Sequence, residues 1–273
     1  MTHSQEPYDV NFCFPVPRSL ESERVRLEPF VPSVHPPTFW ELSSPHPELY
    51  DYLPFGPFES VDQFISTFIK ARIQPNHGTI LFAVFDKVEL SPSLTPKPPS
   101  SNSGDAPSSY PMAGLLGFLN TSVHNRCTEI GFVITLPKYQ RTHVTSNAVG
   151  LLLQYTLDPP SLGGLGLRRV VWQANALNLA SIRAAEKMGF KREATLRWDR
   201  ALPPGKEKGG ESVGTGNLDV TPHGIRIRVT KREGDAKKDW VGRHTAMLSL
   251  CWDDWENGGR EHVEAIIARP RGN

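Results

Sequence analysis

Segments with the two-residue periodicity of β-strands alternate with helical patterns along most of this chain, and their order limits the folds that it can adopt. The candidate strands cover 24–30, 79–85, 113–119, 129–135, 168–173, 190–202 and 243–252. The helical patterns begin at Ser60, Thr145 and Asn178, and a short final one lies near 263–267. Three consecutive strands without a helix between them indicate an antiparallel meander. We therefore predict an α/β fold with a mixed (α+β) sheet whose front half is antiparallel.

Two segments that interrupt these patterns are predicted to be insertions. Residues 91–111 are almost all Ser, Pro, Gly and small polar residues, which bury too little apolar surface to form a core. Residues 203–239 are rich in Gly and Lys, and they carry basic and acidic side chains in similar numbers. We expect this second segment to be solvated, although its apolar islands at 218–220 and 225–229 could form a hairpin.

The remaining chain divides at about residue 20. Residues 1–20 contain no regular apolar pattern and are predicted to be a flexible N-terminal arm. Residues 21–273 are predicted to be a single domain that carries both insertions.

Charge and cysteine content argue against several classes of protein. The formal net charge is +1, which gives no global field to hold nucleic acid or an anionic membrane, so neither is expected as a partner. No run of about 18 apolar residues and no secretory signal pattern are present, and the three cysteines are far apart. The nine histidines show no metal-ligand spacing with carboxylates or cysteines, so no metal is expected. These features indicate a reducing compartment, and we predict a cytoplasmic protein.

A strand–loop–helix junction at residues 129–157 could bind an anion. The apolar strand leads through Pro137 into Gln140-Arg-Thr-His-Val-Thr145, where a helix begins. The free N–H groups of a helix start suit a phosphate or pyrophosphate, and Arg141 adds a fixed positive charge. Taken alone, the junction fits an ordinary helix start beside a surface arginine equally well.

A second polar group follows the strand at 168–173. Asn175 lies where that strand ends, Asn178 is placed to cap the next helix, and Ser181 falls on its first turn. Side chains placed in this way can face a cleft at the end of the strand. The plainer interpretation is a capped helix with a polar first turn.

Together these motifs resemble the GNAT N-acetyltransferases. Asn-x-x-Asn-x-x-Ser from Asn175, followed by Lys-x-Gly-Phe190 and a strand, looks like the last motif of that family. Glu129-Ile-Gly-Phe is similar to the central strand of its Rim-type branch, which acetylates protein N-termini. The spacing from Gln140 to Ala148 matches the family's pyrophosphate loop and helix. The resemblance covers roughly residues 20–202 and includes the strand at 243–252 as a closing strand.

The resemblance implies a GNAT acyl-CoA N-acyltransferase fold, with a mostly antiparallel central sheet in which two parallel strands splay apart. It also implies acetyl-CoA as cosubstrate, with its pantetheine arm between those strands and its pyrophosphate on the loop. The cofactor-binding residues implied in this way are Val133, Ile134, Leu136, Gln140, Arg141, Thr142, His143, Val144, Thr145, Asn175, Asn178, Ser181, Arg183 and Lys187.

The implied reaction is direct transfer of an acetyl group to an amine. Glu129 is the candidate general base, and Ser181 is the candidate acid that protonates the leaving sulfur. Ala185 stands where the family often has a tyrosine that acts as general acid, and His143 stands where the family's pyrophosphate loop has glycine. The alternative is a non-catalytic GNAT-fold protein that binds CoA or a protein partner. The acceptor, a small molecule or a peptide N-terminus, is left open, as is the oligomeric state, with a dimer among the options.

Overall fold

Eight strands form one mixed sheet in the computed structural model, which describes residues 10–88, 110–210 and 234–269 and the backbone of 219–220 and 226–227. With two further strands outside this sheet, the described strands are β1 (Leu20–Glu21), β2 (Val25–Pro29), β3 (Ile80–Asp86), β4 (Met112–Ser122), β5 (Cys127–Thr135), β6 (Arg169–Asn175), β7 (Lys191–Leu202), β8 (Asp219–Val220), β9 (Arg226–Ile227) and β10 (Val241–Cys251). Their order in the sheet is β1-β2-β3-β4-β5-β6-β10-β7, and β8 and β9 form a separate hairpin. The predicted meander β3-β4-β5 and the predicted hairpin are both confirmed.

Helices cover the sheet between these strands. They are α1 (Pro36–Ser43), α2 (Val61–Gln63, continued by π-helical turns over Phe64–Ile73), α3 (Val144–Leu157), α4 (Leu179–Lys187), α5 (Trp252–Asp254, continued by π-helical turns over Trp255–Gly259) and α6 (Arg260–Ile267). Short 3₁₀ turns cover Pro47–Tyr50, Pro137–Tyr139, Pro160–Leu162 and Glu207–Gly209. Helix α3 is buried along most of its length and contacts β1, β2, β5, β6 and α6. Within the described ranges, no helix combines the length and apolar character that crossing a bilayer requires.

The predicted helix signals act as expected. Ser60 Oγ accepts a hydrogen bond from the amide N of Gln63 at 3.1 Å, which satisfies one free N–H at the start of α2. Asn178 Oδ1 does the same for the amide N of Ser181 at 3.0 Å at the start of α4. After α4 the chain turns at Gly189, whose φ of +91° is readily adopted by glycine. Helix α1 was not predicted, because Pro36 and Pro37 mask its helical pattern.

The only parallel pairing in the described sheet joins β5 to β6, and it is short. Cys127–Ile130 pair with Arg169–Trp172, and beyond Ile130 the two strands no longer pair with each other. Beyond this point β5 continues to pair with β4, while β6 continues to pair with β10. A bulge at this point, with Phe132 at φ +54°, kinks β5 away from its former course. The expected splay between two parallel strands is therefore present, with two backbone edges facing an opening.

The second half of the predicted N-terminal arm packs against the domain. The Phe12 ring stacks on Phe118 with centroids 6.1 Å apart, and the amide N of Cys13 donates to His77 O at 2.8 Å. The Tyr155 hydroxyl donates to the carbonyl of Pro15. A flexible arm over 1–20 is therefore wrong for 10–20, because one aromatic stacking contact and two hydrogen bonds to the domain offset the entropy of ordering this segment. Residues 1–9 lie outside the described residues.

The start of the second predicted insertion is also packed. Lys206 is buried, and its ammonium donates to the carbonyls of Tyr50 at 2.7 Å and Phe55 at 3.1 Å. The expectation of a solvated segment is therefore wrong for Lys206 and Gly209, since a lysine that finds carbonyl acceptors can be buried, while Pro204, Gly205, Glu207 and Lys208 are exposed as expected. Residues 91–109 and most of 211–233 lie outside the described residues, and the division into one domain with two insertions stays a prediction.

Replacing Phe12 by Ala is expected to lower the free energy of unfolding by about 1–2 kcal/mol, because it removes a half-buried ring and its stacking contact. Urea denaturation of the two proteins measures this difference. Arg18→Ala, an exposed position in the same segment, is the control and should change it by less than about 0.5 kcal/mol. Equal stability of Phe12→Ala and the wild type would mean that residues 10–20 contribute nothing to the fold.

Candidate functional site

Glu129 lies in β5 at the base of the splay, almost fully buried. Its Oε2 accepts hydrogen bonds from Asn120 Nδ2 at 2.8 Å and Gln173 Nε2 at 2.9 Å. Its Oε1 makes no hydrogen bond within the described residues and lies beside Gly131, where an added Cβ would be 3.6 Å away. Burial raises the pKa of Glu129, and the bond from Asn120 and the charges of Arg200 and Arg243 oppose that rise. The result is a fixed carboxylate with one oxygen available to accept a proton.

The segment from β5 to α3 has the shape of an anion-binding loop. Arg141 is exposed and adopts φ +60°, so the chain turns sharply just before α3 begins. Thr135 Oγ1 and Thr145 Oγ1 are 2.7 Å apart, which ties the end of β5 to the first turn of α3. The N-cap residue His143 gives α3 no side-chain cap, and the amide N of Val144 donates to Thr142 Oγ1 at 3.3 Å, so the next N–H groups of the first turn are the ones that an anion could bind.

His143 does not obstruct this loop. Its Nε2 lies 3.1 Å from Asp86 Oδ1 at the end of β3, and its side chain is 4% exposed. The residue has φ −71°, a value open to any amino acid, so glycine is not required there. The imidazole therefore points into the protein and leaves the outer surface of the loop to other groups.

The other predicted loop and strand residues fall into two groups. Gln140 and Thr142 stabilise the loop itself, through Gln140 Nε2 to Thr135 O at 3.1 Å and Thr142 Oγ1 to Tyr139 O at 2.6 Å. The side chains of Ile134, Leu136 and Val144 are buried in the core, and that of Val133 is half-buried. The amide N of Leu136 donates to Ala113 O at 2.9 Å, so it faces β4 and not the opening between β5 and β6.

The three polar residues around α4 lie close together but have different partners. Asn175 is buried; its Nδ2 donates to Gly209 O, and its Oδ1 accepts from the amide N of Leu177 at 3.0 Å. Asn178 caps α4. Ser181 Oγ accepts a hydrogen bond from the indole Nε1 of Trp172 at 3.0 Å, which leaves its own hydrogen available for donation.

The two predicted cations of α4 are exposed. Lys187 Nζ lies 3.3 Å from Ser146 Oγ, which places it beside the first turn of α3 and the loop at 140–145. Arg183 lies one turn earlier, and no side-chain bond to another described residue holds it. Lys187 and Arg141 therefore put positive charge on two sides of the α3 start.

A group of charged residues near Glu129 was not predicted from the sequence. Asp199, Arg200 and Arg243 come from β7 and β10 and act on Glu129, while Arg72, on the π-helical continuation of α2, lies close to Arg200. Arg243 pairs in register with Arg200, and Asp199 Oδ2 accepts from Thr245 Oγ1 at 2.7 Å. Gln173, which hydrogen-bonds to Glu129, was also missed. It is the one neighbour of Glu129 that the sequence could have revealed, because it lies two positions before Asn175 on the same face of a strand.

One possible cluster of metal-binding side chains occurs at the start of α5. One ligand atom each of Cys251, Asp253 and Asp254 lies within 4.8 Å of the others. Asp254, however, accepts from Lys191 and from the amide N of Cys251, so it caps the helix and is already paired with a cation. The cluster therefore serves the local structure.

Comparison with known proteins identifies the family. A model of the acetyltransferase (GNAT) domain family matches residues 24–191. A sequence search of curated proteins finds no significant match. The Rim-type branch of the family is not supported by these matches and stays a prediction.

Solved structures share the fold at low sequence identity. A GCN5-related N-acetyltransferase from Brucella melitensis has 23% identity and a TM-score of 0.65, over 93% of this chain and 87% of that one. A probable GNAT-family acetyltransferase from Chromobacterium violaceum has 24% identity and a TM-score of 0.60, over 88% and 90%. Spermidine N-acetyltransferase from Vibrio cholerae, in complex with CoA and spermine, has 13% identity and a TM-score of 0.54, over 86% and 100%. Because the family model matches more than half of the residues, this chain belongs to the acetyltransferase (GNAT) domain family.

Proposed function

We propose that the protein transfers an acetyl group from acetyl-CoA to a primary amine by direct attack of the amine on the thioester. The observation that carries this proposal is the opening between β5 and β6, with Glu129 at its base and the starts of α3 and α4 beside it. Acetyl-CoA supplies the activated acyl group. The C–N bond forms as the C–S bond breaks, and one proton passes from the amine while another reaches the sulfur.

The chain offers suitable groups for the cosubstrate. Beyond Ile130, the edge of β5 that faces β6 has no paired strand. Its backbone groups can bind the amides of pantetheine as they would bind a further strand. The loop at 140–145 and the start of α3 can bind the pyrophosphate, assisted by Arg141 and Lys187. Asn175 and Asn178 contribute by holding the segment at 203–210 and by starting α4, rather than by free side-chain groups.

Proton transfer needs a base on one side of the thioester and an acid on the other. Glu129 Oε1 accepts the proton of the amine, directly or through one water. The hydroxyl of Ser181, oriented by Trp172, donates to the departing sulfur. Backbone N–H groups in the opening polarise the carbonyl as its oxygen gains negative charge.

The alternative is a GNAT-fold protein that binds CoA or a partner without turnover. It was raised by the histidine in the pyrophosphate loop, because a side chain there could block the ligand. His143 instead contacts Asp86 inside the protein, so this observation no longer favours the alternative. Release of CoA thiol in the presence of amines distinguishes the two functions.

Acetyl-CoA is expected to raise the Tm by roughly 5–10 °C when present at about 100 times its Kd, since binding then stabilises the folded state by about 2.7 kcal/mol. Differential scanning fluorimetry measures the shift. Arg141→Ala should weaken the binding and require more ligand for the same shift, whereas Arg168→Ala, at the opposite end of β6, should not. A Tm that does not move at millimolar acetyl-CoA would refute the cosubstrate assignment.

A further inference from the structure

Three arginines from separate elements converge on the side of the sheet that carries Glu129. Side chains opposite one another on neighbouring strands lie on one face, and so do alternate residues of one strand. Gln173 binds Glu129, and Asn175, two positions further, is opposite Thr245 of β10. Arg243, two positions before Thr245 on β10, is thus on the same face, with Arg200 of β7 opposite it.

The third arginine connects this face to an open cleft. The Arg72 guanidinium lies 5.2 Å from the Phe55 ring centroid and 5.5 Å from that of Phe132, the residue at the bulge of β5. Arg72 also lines a cleft of about 270 Å³ between the loop at 55–58 and helix α2 with its π-helical continuation. Burial and the charge of Arg200 both lower the pKa of Arg72, which indicates that the two guanidinium groups are close. The cleft is therefore lined by an arginine that also lies close to Arg200 and beside the bulge of β5.

The protein neutralises the arginines only in part. Arg243 is 5% exposed, yet among the described residues its guanidinium makes no hydrogen bond or ion pair, and its Nε is buried. Arg200 Nε is likewise buried without a hydrogen bond, although it forms an ion pair with Asp199 Oδ2 at 3.4 Å. Glu129 and Asp199 are the nearby carboxylates, and both already accept hydrogen bonds from amide or hydroxyl groups. Three cations thus face two carboxylates, and a buried guanidinium without a partner is costly.

We propose that the acceptor amine carries a carboxylate or similar anionic group, which Arg243 binds together with Arg200 and Arg72. This inference rests on the proposed function and names its second substrate class. A guanidinium binds a carboxylate through two parallel N–H···O bonds, which fixes the orientation of the acceptor as well as its charge. The anion would hold the amine beside Glu129, whereas a polyamine would meet an excess of positive charge.

The arginines also favour the reactive form of such an acceptor. A nearby positive charge stabilises the neutral form of an ammonium group and lowers its pKa. The same cluster that binds the anionic end would therefore assist loss of a proton at the amine end. Glu129 then accepts a proton that is already weakly held.

The test is an acceptor panel in which each anionic amine is paired with its own amide. Glycine, β-alanine, 4-aminobutyrate and dipeptides with N-terminal Asp are each compared with their uncharged amides, and spermidine is included. The expected result is a kcat/KM at least tenfold higher for the carboxylate member of the best pair, falling as salt is added. The free amino acids and the peptides show whether the anion belongs to a small molecule or to a chain terminus. Equal or better use of the amides, or a preference for spermidine, would overturn the proposal.

Arg243→Met removes the charge and keeps an unbranched side chain. It should lower the carboxylate-to-amide ratio of kcat/KM by roughly 30-fold or more, with little change in acetyl-CoA affinity. The loss of its charge beside Glu129 affects both acceptors and therefore cancels in this ratio. Arg243→Lys should recover part of the loss, and Arg168→Met, an exposed arginine far from the cluster, is the control. If Arg243→Met does not fold, Arg200→Met provides the same comparison at a more exposed position. An unchanged carboxylate-to-amide ratio in a folded variant would contradict the proposal.

A measurement of acceptor binding distinguishes failure of this inference from failure of the proposed function. If no amine is acetylated although acetyl-CoA binds, the catalytic proposal fails. Equilibrium dialysis of radiolabelled 4-aminobutyrate or Asp dipeptide against the CoA-saturated protein still tests the anion site. Binding that is lost in Arg243→Met supports it, and the absence of binding by every anionic amine rejects it.

Discussion

Replacing Glu129 by Gln is expected to lower kcat by roughly ten- to a thousand-fold while leaving the affinity for acetyl-CoA within a few-fold. Glutamine has the same size and keeps an oxygen that can accept from Asn120 and Gln173, so the site should stay intact. It cannot accept a proton at its amide, so the proposed base is lost. Steady-state kinetics with the best acceptor, together with acetyl-CoA titration, measure both quantities.

The pH profile gives a second readout of the same substitution. Glu129 must be ionised to act as a base, so wild-type activity should fall as the pH drops through its pKa. Burial raises that pKa, and the acidic limb should therefore lie above the usual range of an exposed carboxyl. Glu129→Gln should lack this limb, whereas Glu264→Gln, an exposed carboxyl on α6, should keep it. Normal turnover by Glu129→Gln would show that the base is elsewhere or that the amine arrives neutral.

Most of the secondary structure could be predicted because local patterns determine it. The strand at 129–135 and the helix from Thr145 were found within two residues of their observed bounds, since apolar periodicity and caps are local signals. The bulge of β5 was not predicted. It places Phe132 at a positive φ that an aromatic residue rarely adopts, and only the pairing with β4 requires it. The splay between β5 and β6 was therefore predicted from the family resemblance and not from the residues of the two strands.

The candidate site was predictable only in part, for a related reason. Glu129 and Ser181 lie near motifs that are continuous in sequence. The arginines do not, because the insertion of β10 between β6 and β7 brings Arg243 near Glu129, and helix packing brings Arg72 near Arg200. No local pattern marks such residues. Burial of Lys206 was not predicted because the carbonyls that bind its ammonium lie some 150 residues earlier in the chain.

Replacing Ser181 by Ala is expected to lower kcat by roughly ten- to a thousand-fold if its hydroxyl protonates the sulfur. The structure adds a complication, because the hydroxyl also accepts from the buried indole of Trp172. Its loss would leave that N–H unsatisfied and should lower the free energy of unfolding by about 1–3 kcal/mol. A smaller kcat could then reflect a displaced α4 rather than a missing acid.

Trp172→Phe separates these two causes, since it also breaks the hydrogen bond but keeps the Ser181 hydroxyl. If Ser181 is the proton donor, Ser181→Ala should lower kcat far more than Trp172→Phe does. Both variants should have a lower Tm than the wild type and a similar affinity for acetyl-CoA. Ser181→Thr retains a hydroxyl and should recover much of the activity. If Ser181→Ala and Trp172→Phe lose activity equally, the serine positions α4 and the thiolate takes its proton from water. Because both variants break the same hydrogen bond, a kcat that is far lower in Ser181→Ala, despite the additional packing that Trp172→Phe loses against Phe190, identifies the hydroxyl as the proton donor.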